Sequence, residues 1–129
     1  MMDTSVAIHL RDGTPEVVEK TGDKGGEALI SIVTHVELEG GVYRDPSQTS
    51  RRRARLDALL EGLTILPFDE QSAQAYRSIL EAAGFSRPRI LDRMIAAQAI
   101  SAGLPLITMN AADFRDIPNL VLEDWGPSA

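Results

Sequence analysis

Four places along the chain carry acidic or amide side chains just after strand-like stretches or at the mouth of a helix. They are Asp3 near the start, Glu37 one turn beyond the apolar run ALISIV (28–33), Asp92 inside ILDRMIAA (90–97), and Asn110 with Asp113 after LPLIT (104–108). In an open parallel sheet, ligands bind beyond the carboxyl ends of the strands, so four separate elements could aim oxygens at one spot. Two carboxylates about 4 Å apart repel by roughly 4 kcal/mol at an effective dielectric near 20, and three converging need a counter-charge. All the ligands are oxygen, and the chain has no cysteine and no helical pair of histidines, which favours Mg²⁺ or Mn²⁺ over zinc. Magnesium takes few protein carboxylates and keeps waters and substrate phosphates in its shell, and that points to phosphoester chemistry.

Each residue also has an ordinary structural role open to it. Asp3 can cap a short helix, and Thr34-x-x-Glu37 fits a capping box. Asp92 can complement a helix dipole, and Asp113 can begin a turn. Their joint placement, not any one acid, carries the metal reading. His9 and His35 are the only imidazoles for a metal-free acid and base pair, and both fit packing or surface positions. Arg51, Arg52, Arg53 and Arg55 could steer a polyanion or form a solvated helix face, whereas Arg87, Arg89 and Arg93 flank Asp92 and could contact phosphate or balance charge. No phosphate-loop signature, GxGxxG or serine triad is present.

The elements that must position these groups alternate. Val6–Leu10 and the stretch opened by Thr14-Pro15-Glu16 read as helices, and 28–33 as a strand buried on both faces. A helix is expected from Thr34 to about Tyr43, and another carries Leu56, Leu59, Leu60 and Leu63. Thr64–Leu66 reads as a strand, Asp69–Ala83 as a helix stopped by Gly84, Ile90–Ala102 as a helix ended by Gly103, Leu104–Thr108 as a strand, and Leu120–Leu122 as a last apolar fragment. Strands separated by helices of this length imply right-handed crossovers and a three-layer α/β/α domain with a central, mostly parallel sheet.

At 129 residues with 43% hydrophobic content, the chain makes one domain (1–129) with a single core. No apolar run approaches the roughly 18 residues of a bilayer span and no basic-then-apolar leader is seen, so the expected location is the cytoplasm, with no membrane partner. Absence of cysteine suits a reducing compartment. A formal charge of −6 argues against nucleic-acid binding through a broadly basic surface, so any nucleic acid must be met locally.

In order and spacing, several short motifs together resemble PIN-domain ribonuclease toxins of the VapC type, from bacterial toxin–antitoxin pairs. They are Asp3-Thr4-Ser5-Val6; Ser31-Ile32-Val33-Thr34 leading into Val36-Glu37-Leu38 and Gly40-Gly41-Val42-Tyr43; Ile65-Leu66-Pro67-Phe68-Asp69; Asp92 with Ile95-Ala96-Ala97; Leu106-Ile107-Thr108-x-Asn110 with Asp113-Phe114; and Leu122-Glu123-Asp124-Trp125. The resemblance implies a PIN-like fold, a Mg²⁺ or Mn²⁺ site and endonucleolytic cleavage of RNA. Asp3, Glu37 and Asp92 fall on the family's acidic positions, with Asp3 and Asp92 as direct metal ligands, and the fourth position stays open between Asn110 and Asp113. Thr108 would support the site by hydrogen bonding, and with Arg87, Arg89 and Arg93 it forms the expected substrate-binding group. A homodimer and a cognate antitoxin are implied as partners. Only Met1 and Met2 precede Asp3 where relatives carry a longer central strand, which leaves either a poorly anchored Asp3 or a shortened start. Two alternatives remain: a catalytically silent PIN-like module binding RNA or protein, and, more distantly, a phosphatase-like enzyme with an aspartate nucleophile.

Overall fold

The computed structural model describes residues 1–127. Its helices are α1 (Thr4–Asp12), α2 (Pro15–Lys24), α3 (Ile32–Arg44), α4 (Thr49–Glu61), α5 (Glu70–Ala83) and α6 (Ile90–Ala102), and its strands are β1 (Ala28–Ser31), β2 (Leu63–Leu66), β3 (Leu106–Thr108) and β4 (Leu122–Asp124). β1 pairs with β2 and β3 with β4, both parallel. Met2 bridges Ile30 on one side and Ile107 on the other, joining the two pairs in the order β2-β1-Met2-β3-β4. The three-layer reading holds.

Period-two alternation divides the core between the faces. Met1, Leu106 and the partly buried Leu29 pack with Ile79, Ile95, Ala96 and Phe114 under α5 and α6. Met2, Ile30 and Ile107 pack with Val6, Val17, Leu38 and Leu56 under α1 to α4. The short start is firmly tied despite its length. Met2 N–H donates to Leu29 O at 2.9 Å, Asp3 N–H to Ile107 O at 2.9 Å, and Ile107 N–H to Met1 O at 2.8 Å. The Met1 ammonium adds a bond to Pro105 O at 2.8 Å. Two residues therefore replace a central strand by bonding to both neighbours.

Several boundaries differ from the sequence expectation, each for a local reason. The apolar run 28–33 stops being strand at Ser31, because the Ser31 hydroxyl accepts from Val33 N–H at 2.8 Å and caps α3. Ile32 and Val33 are then wound into the helix despite their β-branching. This also removes the capping box on Thr34, which lies inside the first turn and is fully buried. Leu104 does not enter β3. Its N–H closes the end of α6 on Ala99 O at 2.9 Å behind a left-handed Gly103 at φ 67°, and Pro105 has no N–H for the ladder. The last apolar fragment, 120–122, only borders a strand, which runs over 122–124 and pairs with 106–108. The Gln98 side chain, buried on α6, meets the Ser31 hydroxyl and donates to Leu66 O and Pro67 O at 3.0 and 2.9 Å, locking α6 to the ends of β1 and β2.

Candidate active site

The carboxyl ends of Met2, β1 and β3 open on the same edge of the sheet, and the mouths of α1, α3 and α6 meet them there. Asp3 caps α1 and is 4% exposed. Its Oδ1 accepts from Ser5 Oγ at 2.6 Å and Val6 N–H at 3.1 Å, and its Oδ2 accepts from Thr108 Oγ1 at 2.5 Å. Burial pushes its carboxyl above the ordinary range, and the hydrogen bonds from Ser5 and Thr108 oppose the shift. The helix-cap role and the site role are therefore one placement. The cap fixes the carboxylate, and the opposite oxygen is held by the strand across the sheet.

Glu37 lies in the second turn of α3, half-buried, and Thr4 Oγ1 donates to its Oε1 at 2.6 Å. Thr34 Oγ1 stands 3.0 Å from the same Thr4 hydroxyl, so the second side of the site is fixed by two threonines on two helices. Asp92 sits half-buried in the first turn of α6. Its carboxyl is raised to about 6, first by burial and then by the negative charges of Glu37, Asp113 and Asp3, with the Arg89 charge opposing. Those three acids come from three other elements, so the shift reports convergence as well as desolvation.

The other expected residues separate into two groups. Asp113 lies in the turn Ala111–Phe114 after β3, exposed, and its charge acts on Asp92. Asn110 is exposed, with its backbone N–H held by Thr108 Oγ1 at 2.9 Å. Arg89 is partly exposed, and its Nη1 donates to Asp113 O at 2.6 Å beside the acids. Arg87 is exposed on the same short turn, Arg87–Arg89. Two substrate-binding expectations are corrected. Thr108 is fully buried and its hydroxyl is spent on Asp3 and the Asn110 backbone, which leaves it no surface for a ligand. Arg93 is 3% exposed and spans Gly84 O and Asp116 Oδ2, at 2.5 and 3.1 Å, so its guanidinium is committed to the fold.

The two histidines do not face each other. His9 Nδ1 bonds Thr14 Oγ1 at 2.9 Å, and His35 Nε2 lies 3.7 Å from Glu39. Ser5 and Thr4 are the contributors that sequence reasoning passed over. Ser5 Oγ gives its hydrogen to Asp3 and accepts Met109 N–H at 3.0 Å, so it joins α1 to the segment after β3. Their signal was adjacency to Asp3, and only the folded register shows their partners.

Among the described residues, no three Asp, Glu or His side chains are gathered tightly enough to grip an ion by themselves. A closed protein cage is thus absent. What remains is a set of oxygen donors in which Asp92 feels the charge of the other acids, and one or two direct carboxylates would suffice for a hard cation that keeps waters and substrate oxygens in its shell. The donor set fits a hard divalent cation on those terms.

The PIN domain family matches residues 1–120. Among curated relatives, Ribonuclease VapC1 of Rickettsia felis is 34% identical over 93% of this chain and 91% of its own length. The tRNA(fMet)-specific endonuclease VapC of Shigella flexneri is 31% identical over 97% and 96%. The crystal structure of VapBC2 from Rickettsia felis bound to a promoter DNA fragment superposes with a TM-score of 0.85 at 27% identity, covering 97% of both chains. DNA-bound VapBC from Salmonella typhimurium gives 0.82 at 28% identity, covering 97% and 96%.

Proposed function

Since the chain belongs to the PIN-domain family, we propose that it is an endoribonuclease, the toxin of a toxin–antitoxin pair, hydrolysing RNA phosphodiester bonds with Mg²⁺ or Mn²⁺ held by Asp3 and Asp92. The observation that carries this reading is the gathering at one sheet edge of Asp3, clasped by Ser5, Val6 N–H and Thr108, and Glu37, held by Thr4 of the same helix mouth, with Asp92 close enough for their charges to raise it. The ribonuclease names of the relatives support the reaction class. When bound, the ion supplies charge stabilisation at the phosphate and a more acidic coordinated water.

The chain's own residues divide the remaining work. Asp3, clasped by Ser5, Val6 N–H and Thr108, presents a carboxylate whose direction is set before any ligand arrives. Glu37, steadied by Thr4, orients the attacking water and takes its proton. Asp113, whose charge acts on Asp92, is the acid of the fourth position in preference to Asn110. Arg89, with Arg87 beside it, meets the RNA phosphates at the rim. The silent-module alternative depended on a loosely held Asp3, and the burial and three donors found at Asp3 weigh against it.

VapBC relatives in which toxin and antitoxin are crystallised together support a cognate antitoxin as partner, and an acidic cleft suits a basic antitoxin segment. A homodimer and a cytoplasmic location belong to the same reading. Among the described residues, no helix is long and apolar enough to cross a membrane. The test is incubation of the purified protein with defined transfer, ribosomal and messenger RNAs in Mg²⁺, Mn²⁺ or EDTA. Cleavage with either ion and none in EDTA is expected. Undiminished cleavage in EDTA overturns the metal reading, and intact RNA under every condition overturns the nuclease.

A further inference from the structure

The arginines of α4 are not one solvated face. Arg53 is neutralised, with Glu39 at 2.8 Å and Asp57 at 2.6 Å. Arg51, Arg52 and Arg55 instead line a notch of about 300 Å³ with Asp12 and Gln48. Arg52 Nη1 is held by Gly41 O at 2.8 Å and Arg55 Nη1 by Asp12 O at 3.2 Å. Each guanidinium is thus anchored through one nitrogen to an uncharged carbonyl, leaving donors of its five free for a ligand. The acids nearby are already engaged. Asp12 pairs with Arg11 at 3.0 Å, and Asp45 accepts from Ser47 Oγ and N–H at 2.8 and 3.1 Å.

Arg11 adds a buried cation beneath the notch. It is 6% exposed, and its Nη1 lies against Gly41, where an added Cβ would come within 3.3 Å. A chain of net charge −6 therefore gathers Arg51, Arg52 and Arg55 at one notch, while the Arg11 charge is spent on Asp12. The notch is also within reach of the acids. Gly41 follows Glu37 by four residues on α3, about 6 Å, and Asp12 follows Asp3 by nine, about 13 Å, at the helical rise. Gly40, exposed and without a side chain, lies on the stretch between.

We propose that the Arg51, Arg52 and Arg55 notch is a phosphate-binding subsite that holds the RNA backbone a few nucleotides from the scissile bond. This rests on the nuclease reading and says where the rest of its substrate lies. Planar guanidinium donors without a carboxylate ion pair, Arg52 and Arg55 anchored on carbonyls and Arg51 exposed beside them, match phosphate oxygens, and continuity along α3 with Glu37 favours one strand occupying both places.

The test compares the parent with Arg51→Ala/Arg55→Ala, using a labelled single-stranded RNA long enough to reach α4, and a dinucleotide that is not. In EDTA, anisotropy should show the long RNA bound about tenfold more weakly by the variant, with the salt-dependence slope reduced by about 1.4, or 0.7 for each of two lost phosphate contacts. With Mg²⁺ or Mn²⁺, the variant should raise KM for the long RNA, leave kcat unchanged, and cut the dinucleotide at the parental rate. Arg51→Glu alone, at an exposed position, guards against misfolding and should weaken the long RNA in the same direction. Parental affinity and slope in both variants overturn the subsite while leaving the nuclease intact. Failure of the parent to cleave any RNA overturns the nuclease, and the EDTA binding then decides the notch separately. A polyglutamate peptide that binds through these arginines and is not displaced by RNA overturns the subsite in favour of a protein partner.

Discussion

Replacing Asp92 with Asn should make the metal-free protein more stable while abolishing its metal-dependent chemistry. Asp92 is raised from the ordinary value near 3.8 to about 6 by burial and by Glu37, Asp113 and Asp3. The folded state therefore holds its proton more tightly than the unfolded chain, and the parent loses stability as pH climbs from about 4 through about 6. At 1.36 kcal/mol per pH unit this gives an upper limit of roughly 3 kcal/mol. Asp92 is only half-buried, so solvent screening reduces it to about 1–1.5 kcal/mol. For a domain of this size that is a melting-temperature gain of about 3–6 °C. Thermal unfolding in EDTA should show Asp92→Asn melting above the parent by this amount at pH 8. The gap should narrow on acidification and close near pH 3, where the carboxyl is protonated in both the folded and the unfolded chain and Asn is nearly its isostere. The difference between the curves isolates Asp92 from every other group titrating in that range. Millimolar Mg²⁺ or Mn²⁺ should raise the parent's melting temperature at pH 8 and the variant's much less. Equal melting of parent and variant at pH 8, or a gap that does not close on acidification, would refute convergence of these acids on Asp92.

Thr108→Val keeps the shape but removes the donor to Asp3 Oδ2 and the acceptor for Asn110 N–H. Calorimetry should show about 1–3 kcal/mol of lost stability, and titration should show a 10–100-fold weaker Mn²⁺ affinity. Ser5→Ala should weaken Mn²⁺ in the same direction, because both Asp3 Oδ1 and Met109 N–H lose a partner. Arg93→Gln should lower the melting temperature through loss of the Gly84 and Asp116 contacts, yet leave the salt dependence of RNA binding at the parental slope. A reduced slope would return Arg93 to the substrate surface.

Helix identities were legible because their stop signals are local. Gly84 and Gly103 end α5 and α6 where the sequence puts them, and Asp69 caps α5 through Ser72 N–H at 2.8 Å. The end of β1 was not, because the five apolar positions of the run 28–33 say strand and the single hydroxyl among them, Ser31, decides otherwise. The site acids were legible as types placed after strands, but not their support. Thr34 looked like a cap for Glu37 in its own helix, whereas the fold uses it against Thr4 from α1. The same limit explains Arg93, whose neighbours in sequence suggested phosphate contact, while burial depends on Gly84 and Asp116 arriving from other elements.

The acids differ in the support the fold gives them, and this difference says which of them a bound cation would relieve most. Asp3 meets its burial with two hydroxyls and a backbone N–H, and Glu37 has the Thr4 hydroxyl. Asp92 has the Arg89 charge set against burial and three negative neighbours, and its carboxyl rises to about 6. Had the fold supplied Asp92 with donors of its own, the repulsion would be relieved within the protein and the affinity for a cation would fall. Leaving it uncompensated stores that free energy for binding, since a ligand that binds only the folded state returns it as stability. The same arrangement makes the site sensitive to a nearby protein cation. A basic side chain placed between Asp92 and Glu37 would relieve the same repulsion, and it would stabilise the protein while displacing the metal.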